Sequence, residues 1–228
     1  NRTCDTTMTR SATNLGAVIL AGGKSRRMNG VDKGGLTVAG TTFLQRISDQ
    51  LKQFDEVLLS VDNGDRYHDC ALPQVSDRYP GKGPLGGLFS ALSQCQSAAL
   101  LAVSVDMPLF EKGLAEYLQA FFHPGCNAVV SMTRDGRLHP LCAKYGKSAI
   151  PILEECLAEN TLRMRDAIAR MNFIVAPLEH SAYADKVLTN INTPQQYAEL
   201  EHRMFGSPVI AVCGGKNSGK TTFLTRII

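Results

Sequence analysis

The chain has 228 residues, of which 44% are hydrophobic and 20% charged, a composition typical of a globular protein with a hydrophobic core. Its 24 Lys and Arg against 21 Asp and Glu give a net charge of +3, which is too small to indicate binding to nucleic acid or to a membrane surface. No apolar run reaches membrane-spanning length, and seven scattered cysteines without a C-x-x-C pair indicate neither a zinc site nor a disulfide framework. They predict reduced thiols in a cytoplasmic protein.

Short apolar strands alternate with helical patterns in the first half of the chain. Strands that are apolar on both faces are typical of a parallel sheet covered by helices. We therefore predict an α/β fold, a three-layer sandwich with a mostly parallel, Rossmann-like sheet, whose ligand crevice lies at the carboxyl ends of the strands. The predicted strands are Leu15–Ala21, Glu56–Val61, Gln74–Ser76, Ala99–Val105 and Cys126–Thr133. The predicted helices are Thr42–Phe54, Pro84–Gln94 and Lys112–Phe122.

The pattern continues beyond Arg137 and is then interrupted by Gly206-Ser207-Pro208. The further predicted elements are the strand Leu138–Tyr145, the helices Ser148–Leu157 and Leu162–Met171, the strand Asn172–Ala176 and the helix Gln195–Met204. Thr193 is expected to cap the last helix, with Pro194 in its first turn. We predict a disordered polar tail (residues 1–14), a main α/β domain (15–204), and a linker with the start of another domain (205–228).

A glycine-rich loop follows the first predicted strand. It runs Leu20-Ala21-Gly22-Gly23-Lys24-Ser25-Arg26-Arg27-Met28, and Asp32-Lys33 come soon after. Adjacent glycines let a backbone approach a phosphate closely, while Arg27 and Lys33 add cationic donors. A surface turn would explain Ala-Gly-Gly alone, but the whole string predicts a triphosphate site.

Asp106 is a second candidate, at the carboxyl end of a buried strand. A carboxylate in the crevice of an α/β sheet can hold Mg²⁺ against phosphate oxygens, although a turn or a helix cap is a common role for a single aspartate. Asp77 is a weaker candidate of the same kind. It precedes the glycine-rich stretch Pro80–Gly87, which either closes over a nucleotide or only turns the chain.

These motifs together resemble the molybdenum cofactor guanylyltransferase family, the MobA type of nucleotidyltransferase. The matching pieces lie in order between Gly16 and Met204: Leu20–Met28, Asp32-Lys33-Gly34, Gly83-Pro84-Leu85-Gly86-Gly87, Asp106-Met107-Pro108, Leu138-His139-Pro140-Leu141 and Asn190-Ile191-Asn192-Thr193-Pro194. The glycine loop and the aspartate fit any member of the wider superfamily. His139-Pro140 and the Asn190-x-Asn192 motif point to the molybdenum branch, so the resemblance makes residues 15–204 a nucleotidyltransferase domain.

The resemblance implies a reaction in which molybdopterin and GTP give the guanine dinucleotide form of the cofactor and pyrophosphate, with Mg²⁺ as cofactor. The implied GTP-binding residues are Leu20, Ala21, Gly22, Gly23, Lys33, Ser60, Asp77 and Asp106. The implied catalytic residues are Lys33, Asp106 and Arg27, with Asp106 also the metal ligand, and the implied pterin-side residues are His139, Asn190 and Asn192. Expected protein partners are a molybdenum-insertion protein and the molybdoenzyme that receives the cofactor.

Two positions depart from the family pattern: Ser60 stands where the family often has Asn, and Asn29 where Gly is common. Two other functions stay open. One is a cytidylyltransferase acting on the same pterin, because the loop does not specify the base; the other is a GTP-binding adaptor. A sugar-1-phosphate nucleotidyltransferase is disfavoured by the short chain and by His139-Pro140. We interpret His139 as a structural corner or pterin contact rather than a general base, because phosphate nucleophiles are already ionised at neutral pH.

A second glycine-rich loop, Gly214-x4-Gly219-Lys220-Thr221, follows the predicted strand Val209–Cys213. It is a Walker A motif in its usual strand–loop–helix context, in which Lys220 would contact the β- and γ-phosphates and Thr221 the Mg²⁺. It resembles the start of the MobB-type adaptor of molybdopterin-guanine dinucleotide biosynthesis. Because one strand and part of a helix cannot bury a core, we expect residues 205–228 to be a linker and the truncated start of a P-loop NTPase domain.

Overall fold

The computed structural model describes residues 15–22, 32–62, 67–123, 125–179, 181–183 and 190–205. The strands are β1 (Leu15–Leu20), β2 (Thr37–Val38), β3 (Thr41–Thr42), β4 (Glu56–Val61), β5 (Gln74–Ser76), β6 (Ala99–Ser104), β7 (Ala128–Met132), β8 (Leu138–Gly146) and β9 (Phe173–Pro177). The helices are α1 (Phe43–Gln50), α2 (Gly83–Gln94), α3 (Lys112–Phe121), α4 (Ile150–Ala158), α5 (Met164–Ala169) and α6 (Pro194–Phe205). The predicted tail, Gly23, Arg27 and the second loop with Gly214, Gly219, Lys220 and Thr221 lie outside the described residues.

Seven of the strands in the described ranges form one sheet, in the order β5–β4–β1–β6–β8–β7–β9. Within it β8 runs antiparallel to both neighbours, and the other pairings are parallel. The predicted mostly parallel sheet is therefore confirmed. From β1 the chain passes to β4 and β5 on one side and then returns to β6 on the other. The crevice of such a sheet opens where this direction reverses, at the carboxyl ends of β1 and β6.

Helices cover both faces of the sheet, as predicted for a three-layer sandwich. One core lies between the sheet and α2, α4 and α5, and it takes Val18 and Leu20 from β1. The other lies between the sheet and α1 and α3, and it takes Ala17 and Ile19 from the same strand. Because successive side chains of a strand point to opposite faces, a strand with two covered faces is apolar throughout. In the part of the chain that the structure describes, no helix is long and apolar enough to cross a membrane.

β2 and β3 form a two-stranded hairpin that the sequence analysis did not predict. Ala39 and Gly40 form its turn with φ of 53° and 73°, the left-handed values of a two-residue hairpin turn. Strands of two residues are too short for a periodic apolar pattern, and Ala-Gly lacks the Asn or Asp that usually marks such a turn. The hairpin leads directly into α1, whose N-cap is Thr42.

The capped start of α6 is confirmed. Gln196 N donates to Thr193 Oγ1 at 3.2 Å, and Gln196 Oε1 accepts from the backbone N of Asn192 at 2.7 Å and of Thr193 at 3.1 Å. This is a reciprocal capping box with Pro194 in the first turn. Leu200 of α6 then packs into a small separate core with Val38, Phe43 and Ile191. The cap fixes the direction in which the chain enters α6 and therefore the position of Asn192.

The remaining predicted helices are shorter than their patterns. The segment predicted from Leu162 to Met171 is helical only over α5, and α4 begins after a 3-10 turn at Lys147–Ala149. In α4 the second residue is Pro151, which suits a first helical turn but not a later one. The helix α4 therefore begins later than predicted because Pro151 must lie in its first turn.

Candidate active site

Backbone hydrogen bonds hold the carboxyl ends of β4, β1 and β6 together. Val105 N donates to Leu20 O at 3.0 Å, and Ala21 N donates to Ser60 O at 3.0 Å. Leu20 and Ala21 are both about 5% exposed. The main chain that leaves β1 is thus fixed at the reversal point of the sheet.

Gly22 is the residue at which the chain leaves this edge, and it is exposed. A Cβ added to Gly22 would overlap Oδ1 of Asp62, which comes directly after β4. Glycine therefore lets the turn and the Asp62 carboxylate approach each other closely. Gly23 and Arg27 follow in residues that the structure does not describe, so their predicted roles stay predictions.

Lys33 joins three segments of the chain that are far apart in sequence. Its Nζ donates to Asp106 Oδ2 at 3.2 Å and to Asn192 Oδ1 at 2.6 Å. Ile191 N donates to the backbone O of Asp106 at 2.9 Å, which fixes the entry to α6 against the end of β6. Lys33 is itself held by a 3-10 turn, Lys33–Gly35, whose N-cap is Asp32.

The Asp106 carboxylate has one oxygen engaged and one free. Its side chain is only 13% exposed, that of Lys33 15%, and Oδ1 is buried without a hydrogen-bond partner. A buried carboxylate oxygen without a partner costs free energy unless a ligand supplies a donor or a cation. Among the described residues there is no cluster of three or more His, Cys, Asp or Glu that could hold a metal. A cation here would therefore need further ligands from a substrate.

A cavity of about 90 Å³ opens at this point. It is lined by Leu20, Ala21, Gly22, Asp32, Lys33, Ser104, Val105 and Asp106. These residues come from the ends of β1 and β6 and from the capped 3-10 turn. The structure thus brings together five of the predicted nucleotide residues in the crevice that the sheet order requires.

Ser60 and Asp77 form a neighbouring polar cluster. Both are buried, with exposures of 2% and 7%, and Asp77 Oδ1 has no hydrogen-bond partner. Burial, and then the negative charge of Asp62, raise the pKa of the Asp77 carboxyl, while a hydrogen bond with Ser60 opposes them; together they move the pKa from its ordinary 3.8 to about 6. Asp77 therefore combines a free acceptor with a carboxyl that is unusually easy to protonate.

The glycine-rich stretch before and within α2 serves close packing. A Cβ on Gly87 would lie 2.5 Å from Ser60 Oγ and 3.3 Å from Asp77 Oδ1. Gly86 and Gly87 are buried in α2, which begins at Gly83 with Pro84 in its first turn, as predicted. The sequence left open whether Pro80–Gly87 closes over a nucleotide or only turns the chain. Gly86 and Gly87 do neither in the structure, because they lie within α2 and let this helix approach Ser60 and Asp77 closely.

His139 lies in a second cavity, of about 220 Å³. Its lining includes Met107, Arg137, Met164 and Asn190, and Asn190 Oδ1 is a further buried oxygen without a partner. Because Met107 follows Asp106 directly, this cavity lies beside the carboxylate segment. The structure thus places His139 and Asn190 in one cavity, while Asn192 instead holds Lys33.

The hydrogen bonds of His139 indicate its protonation. Thr133 Oγ1 lies 3.0 Å from Nε2 of His139 and donates its own proton to Asp135 Oδ1 at 2.6 Å. Since a hydroxyl has one proton, Nε2 must be the donor to Thr133. Burial, and then the charge of Arg137, lower the pKa of His139, while Asp135 opposes them. Both observations favour a neutral ring in which Nδ1 is an acceptor, and the role of His139 stays a prediction.

An irregularity in β8 places His139 and Pro140. The register against β7 jumps from Val130↔Ala143 to Ser131↔His139, so three residues of β8 have no partner in β7. Ser131 Oγ donates to Cys142 O at 2.6 Å and Tyr145 OH donates to Pro140 O at 2.8 Å, which satisfies the carbonyls of the bulge. Such bulges redirect side chains at strand ends, here toward the second cavity.

The predicted set lacked several residues in or beside the two cavities, among them Asp62, Arg137 and Met164. Asp62 carries the same signal as Asp106, an acidic residue at the carboxyl end of a buried strand, and could have been found by it. Arg137 and Met164 carry no such signal, because only the sheet order brings the β7–β8 turn and α5 next to Asn190.

Comparison with known proteins identifies the family to which the chain is similar. The MobA-like NTP transferase domain matches residues 17–173. A probable molybdenum cofactor guanylyltransferase of Clostridium perfringens strain 13 is 33% identical over 191 residues, covering 81% of this chain and 94% of its own. The molybdenum cofactor guanylyltransferase of Shewanella baltica is 30% identical over 197 residues, covering 82% and 95%.

Solved structures share the fold. The molybdopterin-guanine dinucleotide biosynthesis protein A of Archaeoglobus fulgidus superposes with a TM-score of 0.71 at 22% identity, covering 83% of this chain and 98% of its own. The 2-C-methyl-D-erythritol 4-phosphate cytidylyltransferase of Thermus thermophilus superposes with a TM-score of 0.60 at 18% identity, covering 82% and 97%. The predicted nucleotidyltransferase fold is confirmed.

Proposed function

Because the chain belongs to the family of MobA-like NTP transferases, we propose that it transfers GMP from GTP to molybdopterin and releases pyrophosphate. The terminal phosphate of the pterin attacks the α-phosphorus of GTP, and the bond from that phosphorus to the β-phosphate oxygen breaks. The observation that carries the proposal is the Lys33–Asp106 pair in the crevice between β1 and β6.

The residues of the first cavity suit this chemistry because phosphoryl transfer requires positioning and charge neutralisation more than a proton-shuttling base. Leu20, Ala21 and Gly22 offer a fixed main chain for the nucleotide. Lys33 offers a cation to the phosphates and exchanges its bond with Asp106 for one with a phosphate oxygen. The additional cation Arg27 is proposed to steady the leaving pyrophosphate.

Asp106 is proposed to hold Mg²⁺. The buried, unpartnered Oδ1 fits a hard cation that prefers carboxylate oxygens, and one carboxylate with substrate phosphates is a usual Mg²⁺ ligand set. When bound, the ion would neutralise charge on the reacting phosphates. Lys33 keeps Asp106 oriented and partly neutralised before GTP and the ion arrive.

Asp77 supports guanine as the base. Guanine presents two adjacent donors, N1–H and the N2 amino group, to an acceptor, whereas cytosine places acceptors beside its single amino donor. A carboxylate is an acceptor at both oxygens, and Asp77 Oδ1 is buried with no partner of its own. Ser60, buried beneath it, is proposed to orient Asp77 rather than to contact the base.

The second cavity is proposed to take the pterin. His139 Nδ1 and Asn190 Oδ1 are acceptors for the donor-rich edge of a pterin ring, Met107 and Met164 offer apolar contacts, and Arg137 offers a cation for a phosphate. Asn192 is proposed to affect pterin binding only indirectly, through its hydrogen bond with Lys33. The phosphate nucleophile needs no base, in keeping with a neutral His139.

The test is pyrophosphate release from each of the four nucleoside triphosphates with Mg²⁺, in the presence and absence of molybdopterin. We expect release only with GTP and pterin together. Preference for CTP would assign the chain to the cytidylyltransferases. Tight GTP binding without any release would favour the adaptor function.

A second candidate function rests on the Walker A sequence alone. We propose that Gly214–Thr221 begins a P-loop unit of the MobB type, with Gly219 in the loop, so that the natural protein joins both activities. In a protein that continues into a complete P-loop domain, Lys220→Ala would abolish a second GTP site without changing guanylyl transfer. The molybdenum-insertion and molybdoenzyme partners stay predictions.

A cytoplasmic location is proposed from the cysteines. Cys70, Cys95, Cys126, Cys142 and Cys156 are free thiols in the described part of the chain, as expected in a reducing compartment. Thiol titration of the native protein, purified under anaerobic conditions, tests this proposal.

A further inference from the structure

A groove of about 540 Å³ lies between α1, the segment after Asp106, and the end of α6. Its walls include Arg46 and Asp49 of α1, Leu109 and Glu111 of the connecting segment, and Met204 of α6. None of its lining residues belongs to the predicted nucleotide or pterin sites. The groove is larger than either cavity of the active site. No step of the proposed guanylyl transfer uses it.

The last turn of α6 exposes two large hydrophobic side chains. Among the described residues, the exposed large hydrophobic side chains are Met204, at 41%, and Phe205, at 62%. They are adjacent, in the last turn of α6, and Met204 lines the groove. Single exposed hydrophobic residues are ordinary, but two at the edge of an open groove indicate a contact face.

The chain that follows Phe205 cannot move far from this face. Only Gly206, Ser207 and Pro208 separate Phe205 from Val209, and four Cα–Cα steps span at most about 14 Å. Val209 begins five consecutive apolar residues, Val-Ile-Ala-Val-Cys. Val209 is therefore within about 14 Å of Phe205, a distance that allows the segment to reach the groove.

Charge does not select the occupant of the groove. Its walls carry two carboxylates, Asp49 and Glu111, and two guanidinium groups, Arg46 and Arg203. Exposed ion pairs also add little affinity. The assignment therefore depends on the exposed apolar side chains and on the short connection to Val209.

We propose that this groove is the docking surface for the chain's own segment Val209–Ile228. In this arrangement Met204 and Phe205 contact its apolar start. The inference does not rest on guanylyl transfer, because the groove and the active-site cavities share no lining residue.

The experiment measures the maleimide labelling rate of Met204→Cys in the full chain, followed by peptide mass spectrometry so that native cysteines do not interfere. The matched control is Lys52→Cys, just beyond α1, where the native side chain is 73% exposed. We expect the cysteine at position 204 to react at least about tenfold more slowly than a cysteine that is as exposed as Met204 is in the structure, at 41%. Adding Val209→Asp and Ile210→Asp should restore fast labelling at 204 and leave the control unchanged.

Equal labelling of Met204→Cys and Lys52→Cys would overturn the proposal, and so would slow labelling that Val209→Asp and Ile210→Asp do not relieve. Protection that disappears on dilution would assign the groove to a second copy of the chain instead. Because Met204→Cys could itself weaken the contact, amide hydrogen exchange at residues 109–111 is compared between the native chain and the Val209→Asp, Ile210→Asp variant. Faster exchange in the variant supports docking; identical exchange contradicts it.

Discussion

Nζ of Lys33 lies 3.2 Å from Oδ2 of Asp106, although 73 positions separate the two residues. The pair is largely buried, and the lysine is shared with Asn192 at 2.6 Å. The Lys33 ammonium group thus lies in the crevice beside the Asp106 carboxylate, whose Oδ1 has no hydrogen-bond partner. In the proposed function, the lysine binds a phosphate and the aspartate binds the metal ion.

Lys33→Met should lower kcat/KM for GTP by roughly 10²–10³-fold, because it removes a fixed cation from the reacting phosphates. Steady-state pyrophosphate release measures the effect. The control is Lys52→Met, which removes an exposed ion pair with Asp49 at 2.7 Å and should change kcat/KM by less than about twofold. Full turnover in Lys33→Met would show that the phosphate role is wrong.

Asp106→Asn should weaken divalent-ion binding in the GTP complex by on the order of tenfold or more, because an amide oxygen carries no net charge to hold the ion. Electron paramagnetic resonance of Mn²⁺ titrated into protein and GTP measures this without turnover. Asp135→Asn, at an exposed turn, is the control and should bind Mn²⁺ as the native protein does. Unchanged Mn²⁺ affinity in Asp106→Asn would remove Asp106 as the metal ligand.

Asp77→Asn should stabilise the fold above pH 6. The folded-state pKa of Asp77 is raised from 3.8 to about 6, so the folded protein binds the proton more tightly than the unfolded chain does. Stability is therefore lost as the pH rises from about 4 to 6, by up to about 3 kcal/mol, and stays lower above pH 6. Urea unfolding of both proteins at pH 4 and pH 8 should show a difference only at pH 8.

The same carboxyl should make GTP affinity depend on pH. Protonated Asp77 loses an acceptor for the guanine donors, so affinity should fall about tenfold per unit below pH 6. Calorimetric titration of GTP between pH 5 and pH 8 measures the dependence, and Asp77→Asn should bind weakly at every pH. A native affinity that does not change over this range would mean that Asp77 does not contact the base.

Gly87→Ala should destabilise the protein by about 1–3 kcal/mol, because its Cβ would lie 2.5 Å from Ser60 Oγ in a packed interior. Thermal or urea unfolding measures the loss. Ser60→Gly in the same chain should restore part of it, since the overlap is mainly with that hydroxyl. Ser93→Ala, on the exposed face of α2, is the control and should have little effect. No rescue by Ser60→Gly would place the strain elsewhere.

His139→Ala should raise KM for molybdopterin about tenfold while GTP affinity changes by less than about twofold, because it removes one neutral hydrogen-bonding group from the second cavity alone. Because burial and Arg137 keep the pKa of His139 low, the ring should stay neutral at pH 7, which NMR of its ring protons can check. If GTP affinity fell as much as molybdopterin affinity, His139 would not act on the second cavity alone.

Much of the fold was predictable because its signal is local. The strands β1, β4 and β6 are apolar on both faces, which predicts that both faces are buried. The start of α6 is predicted by its local capping residues, Thr193, Pro194 and Gln196. The β2–β3 hairpin was missed because two-residue strands carry no periodicity. The second loop and residues 205–228 lie outside the described residues, so their predicted division stays a prediction.

By itself, the sequence determined the kind of sheet, the glycine turn after β1 and Asp106 at the end of β6, since each depends on neighbours in the chain. Only the tertiary structure decided which distant residues meet: Lys33 with Asp106 and Asn192, and Arg137 with Met164 and Asn190. It also showed that Gly87, within the predicted helix Pro84–Gln94, lets α2 pack closely against Ser60. The physical reason is that strand order and helix packing determine these contacts, and neither is recorded in the spacing of residues along one chain.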